Sequence, residues 1–242
     1  MLRAMFGSTE PTDVREHFVI APHHPDRLRR PAARLGALAE DRFAQALTWN
    51  VFRTLELLSP AFWLRRLHVR ATGAASSAAP QMVRVALWET LRLPPIRRLD
   101  GDRAGAFVDV VIETEHAVWT LMVGTDCDRL LDDDRSIADV VDAGAWLAGG
   151  REYYCGVIER AAGAASPGTV LRDRYSRSRD SAELRSSARG PVRPTRVVWG
   201  ALQWEDLAAL LAECADAPHL PRIEQALAHN VVAWLKQARV AS

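Results

Sequence analysis

Lysine is nearly missing from this chain: of its 31 basic side chains, 30 are arginine and one, Lys236, is lysine. A reaction that needs a lysine amine beside a catalytic strand therefore has a single candidate, close to the C-terminus. Cysteine is also scarce. Cys127, Cys155 and Cys214 form no CxxC pair and leave one over, which argues against a disulfide framework or a cysteine zinc site and points to a reducing cytosol. No apolar run approaches the ~18 residues of a membrane span, and the opening MLRAMFGSTEPTD lacks the apolar core of a signal peptide, so a cytoplasmic protein without membrane insertion is expected. An excess of one charge sign is lacking too. The formal net charge is +1, so a polyanionic partner must be recognised locally rather than by the whole molecule. GxxxxGK[ST], GxGxxG, GxSxG and HExxH are all absent, which leaves phosphate-loop, dinucleotide, hydrolase and zincin readings without an anchor.

What is present is an ordinary globular balance, 48% hydrophobic and 25% charged over 242 residues, enough for one large domain. Residues 1–34 mix Pro, His and Arg without period and read as an irregular arm before a single domain at 35–242. Phe43, Leu47, Val51, Leu55 and Leu58 recur at helical spacing until Ser59-Pro60 and predict a helix with one buried stripe and a proline stop. MVRVALWE (82–89) reads as a strand. AFVDVVIETEHAVWTLMVGT (106–125) reads as a hairpin turning near Glu115-His116. Ser136-x-x-Asp139 resembles a capping box ahead of the stripe Ile137, Val140, Val141, Gly144, Leu147. EYYCGVIE (152–159) and RVVWGAL (196–202) are a fourth and fifth strand. Two helices are expected within 204–239, the last with Ile223, Leu227, Val231, Trp234 and Leu235 on one side.

The neutral total conceals two charged stretches. Residues 126–142 hold seven Asp against two Arg. Within a Ser- and Arg-rich insertion (161–195) and just past it, residues 172–196 hold eight Arg against three acids: Arg172, Arg174, Arg177, Arg179, Arg185, Arg189, Arg193 and Arg196, interleaved with Ser and Tyr175. That composition suits salt-sensitive contacts to the phosphates of DNA or RNA. Docking on the Asp-rich stretch of a second copy, giving a homodimer, or on another protein partner, is the alternative.

The order helix, three strands, helix, strand, with EDRFAQALTWNVFRTLELL opening it and FVDVVIET as second strand, resembles the PD-(D/E)XK nuclease superfamily, the restriction-endonuclease-like fold, over roughly residues 36–215. The resemblance implies an α/β fold with an αβββαβ core, a mixed central sheet and added C-terminal helices. It further implies a metal-dependent phosphodiesterase in which carboxylates hold Mg²⁺ and a lysine assists the attacking water. Carried onto this chain, the strand Asp is Asp109. The E-x-K pair of the next strand falls on Met122 and Gly124, and both roles are lost, since no register shift supplies a lysine and arginine does not share in proton transfer. Asp126 or Asp128 would take the acid's place under a shifted register.

Two readings of the site follow. In one, the acids have migrated: Asp109 and Glu113 share a face of the second strand by the period of two and hold one Mg²⁺, with Glu40 bordering the stripe of the first helix. In the other, a strand acid is paired with an interior arginine and the chain is a degenerate nuclease that binds nucleic acid or a partner with an incomplete metal site. A non-catalytic assembly subunit is a third reading. His23, His24 and His116 lack metal-ligand spacing, and Cys127 between Asp126 and Asp128 is poorly placed for a nucleophile.

Overall fold

A computed structural model describes residues 38–74, 80–95, 105–123, 134–159, 169–177 and 197–237. The arm at 1–34 and most of the insertion lie outside them. Helix α1 (Leu38–Leu57) stops where Ser59-Pro60 predicts. The proline has a second role that the sequence reading did not include: it opens helix α2 (Pro60–Thr72), where its fixed φ suits the first turn and its missing N–H is no loss. Gly73 closes α2 in the left-handed region at φ 70°, its N–H bonded to Val69 O.

Five strands follow: β1 (Arg84–Arg92), β2 (Gly105–Glu113), β3 (Ala117–Val123), β4 (Glu152–Glu159) and β5 (Val197–Gln203). They lie side by side in sequence order. β1, β2 and β3 are antiparallel, whereas β3, β4 and β5 run parallel. The antiparallel part follows from the tight turn at 114–116, and the parallel part from a helical crossover between β3 and β4. That crossover carries α3 (Asp134–Ala148), which begins at Asp134, so Ser136 sits inside the helix rather than at its cap. Helix α4, residues 169–177, lies in the insertion read as without period. Helices α5 (Trp204–Ala215) and α6 (Arg222–Gln237) complete the chain.

The sheet is covered on both faces. Helices α1, α2, α5 and α6 pack on one side around Phe52, Leu55, Trp63, Trp119, Trp204 and Leu211. Helices α3 and α4 pack on the other around Val108, Val111, Val118, Ile137, Val141 and Tyr153. The expected α/β architecture, an αβββαβ core with mixed sheet and C-terminal helices, is therefore present. Being covered on both faces, β2, β3 and β4 are buried almost throughout, which is why they read as continuous apolar runs. Two stripes differ from expectation. Helix α1 is buried from Ala46 to Phe52 on every side, with Thr48 and Asn50 enclosed. Helix α6 buries Ala228, Val231, Val232 and Leu235, a face rotated from the predicted one, and leaves Ile223 72% exposed.

Candidate functional site

Asp109 sits on β2, 4% exposed, at a dislocation in the sheet. The β1–β2 ladder pairs Leu87 with Val110 and Glu89 with Val108, skipping the step at Trp88 and Asp109. Trp88 has φ 58°, a conformation that a bulky side chain rarely adopts. Val108 and Val111 both belong to the α3-side core while Val110 faces the other way. Residues three apart on a regular strand face opposite sides. The alternation therefore breaks between Val108 and Val110, at the step that holds Asp109.

The β2–β3 ladder extends from Glu113 paired with Val118 to Val110 paired with Leu121. Just past its end, Asp109 Oδ2 accepts the Val123 N–H at 2.9 Å, standing in for a backbone acceptor. Glu113 ends β2, four residues and about 13 Å of strand beyond Asp109 at ~3.3 Å per residue. Its carboxylate is held by two guanidiniums, Arg84 through Oε1 and Arg151 through Oε2 at 3.3 Å. Arg151 also donates to the carbonyls of Thr114, Leu147 and Ala148, tying the β2–β3 turn to the end of α3. Glu113 is thus an arginine-paired strand acid, but its partners are not interior: the Arg84 side chain is 62% and the Arg151 side chain 28% exposed. Glu40 falls in the first turn of α1, and its side chain lies outside the description.

Met122 is 7% exposed and packs in the α3-side core. Gly124, Asp126, Cys127 and Asp128 lie outside the described residues, as do His23 and His24. With Asp109 midway along β2, Glu113 about 13 Å of strand further on at its end, and each carboxylate engaged, the pair does not fit a shared Mg²⁺. Among the described residues no three His, Cys, Asp or Glu side chains form a metal-binding group.

Sequence reasoning missed two further buried acids, Asp139 at 7% and Glu159 at 3% exposed. Both are engaged by other groups. Glu159 ends β4 beside the carboxyl end of β3, the end that Asp109 also reaches. An acid closing an apolar strand and one inside an apolar helical stripe were the available signals. His68 was also missed. It is 6% exposed, donates through Nδ1 to Ala74 O at 2.8 Å, and meets the rings of Trp119 and Tyr154 edge-on. With Arg65, His116 and Glu152 these side chains line a small cleft at the opposite end of β3 and β4. His116 itself is in the exposed turn.

Arg172, Arg174 and Arg177 stand on α4, while Arg179, Arg185, Arg189, Arg193 and Arg196 lie outside the described residues. Leu171 and Tyr175 bury themselves against the sheet. The Tyr175 hydroxyl donates to Asp142 Oδ1 at 3.0 Å and its ring lies 5.6 Å from that of Trp199. The Arg-rich and Asp-rich stretches thus touch within one chain, and Tyr175 is withdrawn from the surface. Burial pushes the Cys155 thiol up to about 11 and the Cys214 thiol up to about 12, which keeps both protonated and unreactive at neutral pH. None of the described helices is long and apolar enough to cross a membrane. Comparison with protein-family models, curated proteins and solved structures gave no match.

Proposed function

We propose that this chain is a degenerate relative of the PD-(D/E)XK nucleases that binds nucleic acid through its arginine-rich segment and does not cleave it. The observation that carries the reading is the state of the positions that the resemblance makes catalytic. Met122, in the acid's place, is a packed core side chain. Glu113, the nearest replacement on β2, is neutralised by Arg84 and Arg151. Lys236 is on α6, an element of the opposite layer from α3. Asp109, to which the resemblance gives the strand Asp's role, is buried, and its Oδ2 serves the end of the β2–β3 ladder.

Nuclease assays on labelled single- and double-stranded DNA and RNA in Mg²⁺ or Mn²⁺ test the reading. The expected result is no divalent-dependent cleavage, together with a gel shift that weakens as salt rises. Divalent-dependent cleavage abolished by Asp109→Ala would overturn it in favour of the active, divergent endonuclease. Absence of any nucleic-acid binding, with a stable oligomer or co-purifying protein, would instead establish the assembly subunit.

A further inference from the structure

An open β-sheet ends in two edge strands, each with a row of backbone N–H and C=O groups that a further strand can pair with. Here the edges are β1 and β5, and they are built differently. β1 is guarded in three ways. It carries Arg84, Glu89 and Arg92, and its ladder skips a step at Trp88. Helix α1 also occupies its backbone: Glu56 Oε1 accepts the Val85 N–H at 3.1 Å, and Arg53 Nη1 donates to Val85 O at 2.9 Å. Arg53 and Glu56 are themselves an ion pair, so α1 supplies at Val85 both hydrogen bonds that a neighbouring strand would make.

β5 has none of these devices. Its sequence, VVWGALQ, holds no charge and no proline. It pairs with β4 at every position from Val197 to Gln203, without a bulge. Among the described residues, no hydrogen bond outside the β4 ladder engages residues 197–202. Val197, Val198, Trp199 and Ala201 are only partly buried. A regular, uncharged edge of β-branched and aromatic residues is the kind that pairs with another chain.

We propose that β5 is the pairing edge for a second copy of this chain, the two β5 strands running antiparallel across a two-fold axis and joining both sheets into one. The composition of the strand selects a copy of itself. Self-pairing opposes like charges in a charged strand, and β5 has none to oppose. With the axis at Gly200, Trp199 faces Ala201 of the second copy, large against small, and Val198 faces its Leu202, apolar against apolar. The two-fold axis makes each contact twice. Such a dimer forms whether or not the chain binds nucleic acid.

Light scattering and sedimentation equilibrium on the full chain, from low micromolar to near-millimolar concentration, test the pairing, with amide hydrogen exchange read at both ends of the range. The expected result is a reversible dimer in which alternate amides of β5 exchange about tenfold more slowly than at dilution, while those of β1 are unchanged. Ala201→Lys sets a charge on each side of the axis and should weaken the dimer about tenfold, with the urea midpoint of the dilute protein unchanged. Val197→Lys, at the start of the strand, repeats the measurement if Ala201→Lys fails to fold. A monomer throughout the range overturns the proposal, and so does a dimer that either charge leaves intact. β5 amides already slow in a dilute monomer overturn it as well, and would show that another segment of the same chain lies on this edge.

Discussion

A Cβ added to Gly144 would lie 2.4 Å from the Tyr153 hydroxyl oxygen and 2.6 Å from its ring, closer than real contacts allow. Tyr153 has little room to yield, since it is fully buried and its hydroxyl shares a 2.7 Å hydrogen bond with Thr120. Gly144→Ala is therefore expected to lose about 1–3 kcal/mol by overpacking, despite alanine's better helix propensity, which an equilibrium urea titration would reveal. Unchanged or raised stability would show that α3 slides freely on the sheet. Glu113 gives a second prediction at this scale. Removing its carboxylate leaves Arg84 with its 3.4 Å contact to Glu89 and Arg151 with the backbone carbonyls of Thr114, Leu147 and Ala148. Glu113→Ala should then cost roughly 1 kcal/mol, since the pair is only partly buried, and part of the loss should disappear in high salt. A metal-ligand role would give a loss that depends on divalent ions instead. Of the site residues, Asp109 was legible on its strand but the skipped ladder step that it shares with Trp88 was not, since nothing in the local composition announces the left-handed backbone of Trp88.

Elements were legible where one residue had one role. The hairpin 106–125 shows as two β-branched runs around a polar turn, and β2, β3 and the turn follow that pattern. Helix α2 was hidden because Pro60 reads equally as the end of one helix and the first turn of the next. Helix α4 was hidden because Leu171 and Tyr175 alone mark its buried face among Arg and Ser. Capping illustrates the same limit. Ser59 at the start of α2 makes no side-chain cap bond within its own helix. Instead Glu224, from the first turn of α6, accepts from the Ser59 N–H at 2.8 Å and from its hydroxyl at 2.9 Å. A cap supplied from 165 residues away is invisible to local spacing. Glu224→Ala should destabilise the domain by about 1 kcal/mol, the usual worth of a cap. In a double-mutant cycle with Ser59→Ala the two losses should be non-additive, and simple additivity would show that the contact contributes nothing of its own.

At the scale of the whole molecule, the two-layer covering of the sheet determines how stability depends on pH. Burial is the first cause raising the phenols of Tyr153 and Tyr154 above their ordinary range, with Glu152 adding to the rise at Tyr154. Burial likewise raises the thiols of Cys155 and Cys214, to about 11 and about 12. These groups come from β4 and α5, so the effect belongs to the packed domain rather than to one site. In each case the folded chain keeps a proton that the unfolded chain releases earlier, at the ordinary values of about 8.5 for thiols and 10 for phenols. Above about pH 8.5 the unfolded state therefore binds fewer protons than the native state, and the slope of unfolding free energy against pH is negative. The stability is fully present below that point and is lost as pH rises through the folded values near 11 and 12. The urea midpoint should accordingly be flat with respect to these groups from pH 6 to 8 and fall steadily from about 9 to 11. Cys155→Ala combined with Cys214→Ala should make the fall shallower, since the phenols alone remain. Both thiols should resist alkylation in the native protein at pH 8 and react on unfolding. A midpoint that holds level to pH 11, or rapid native-state alkylation of either cysteine, would mean that water reaches β4 or α5 and that the two covering layers are looser than their packing indicates.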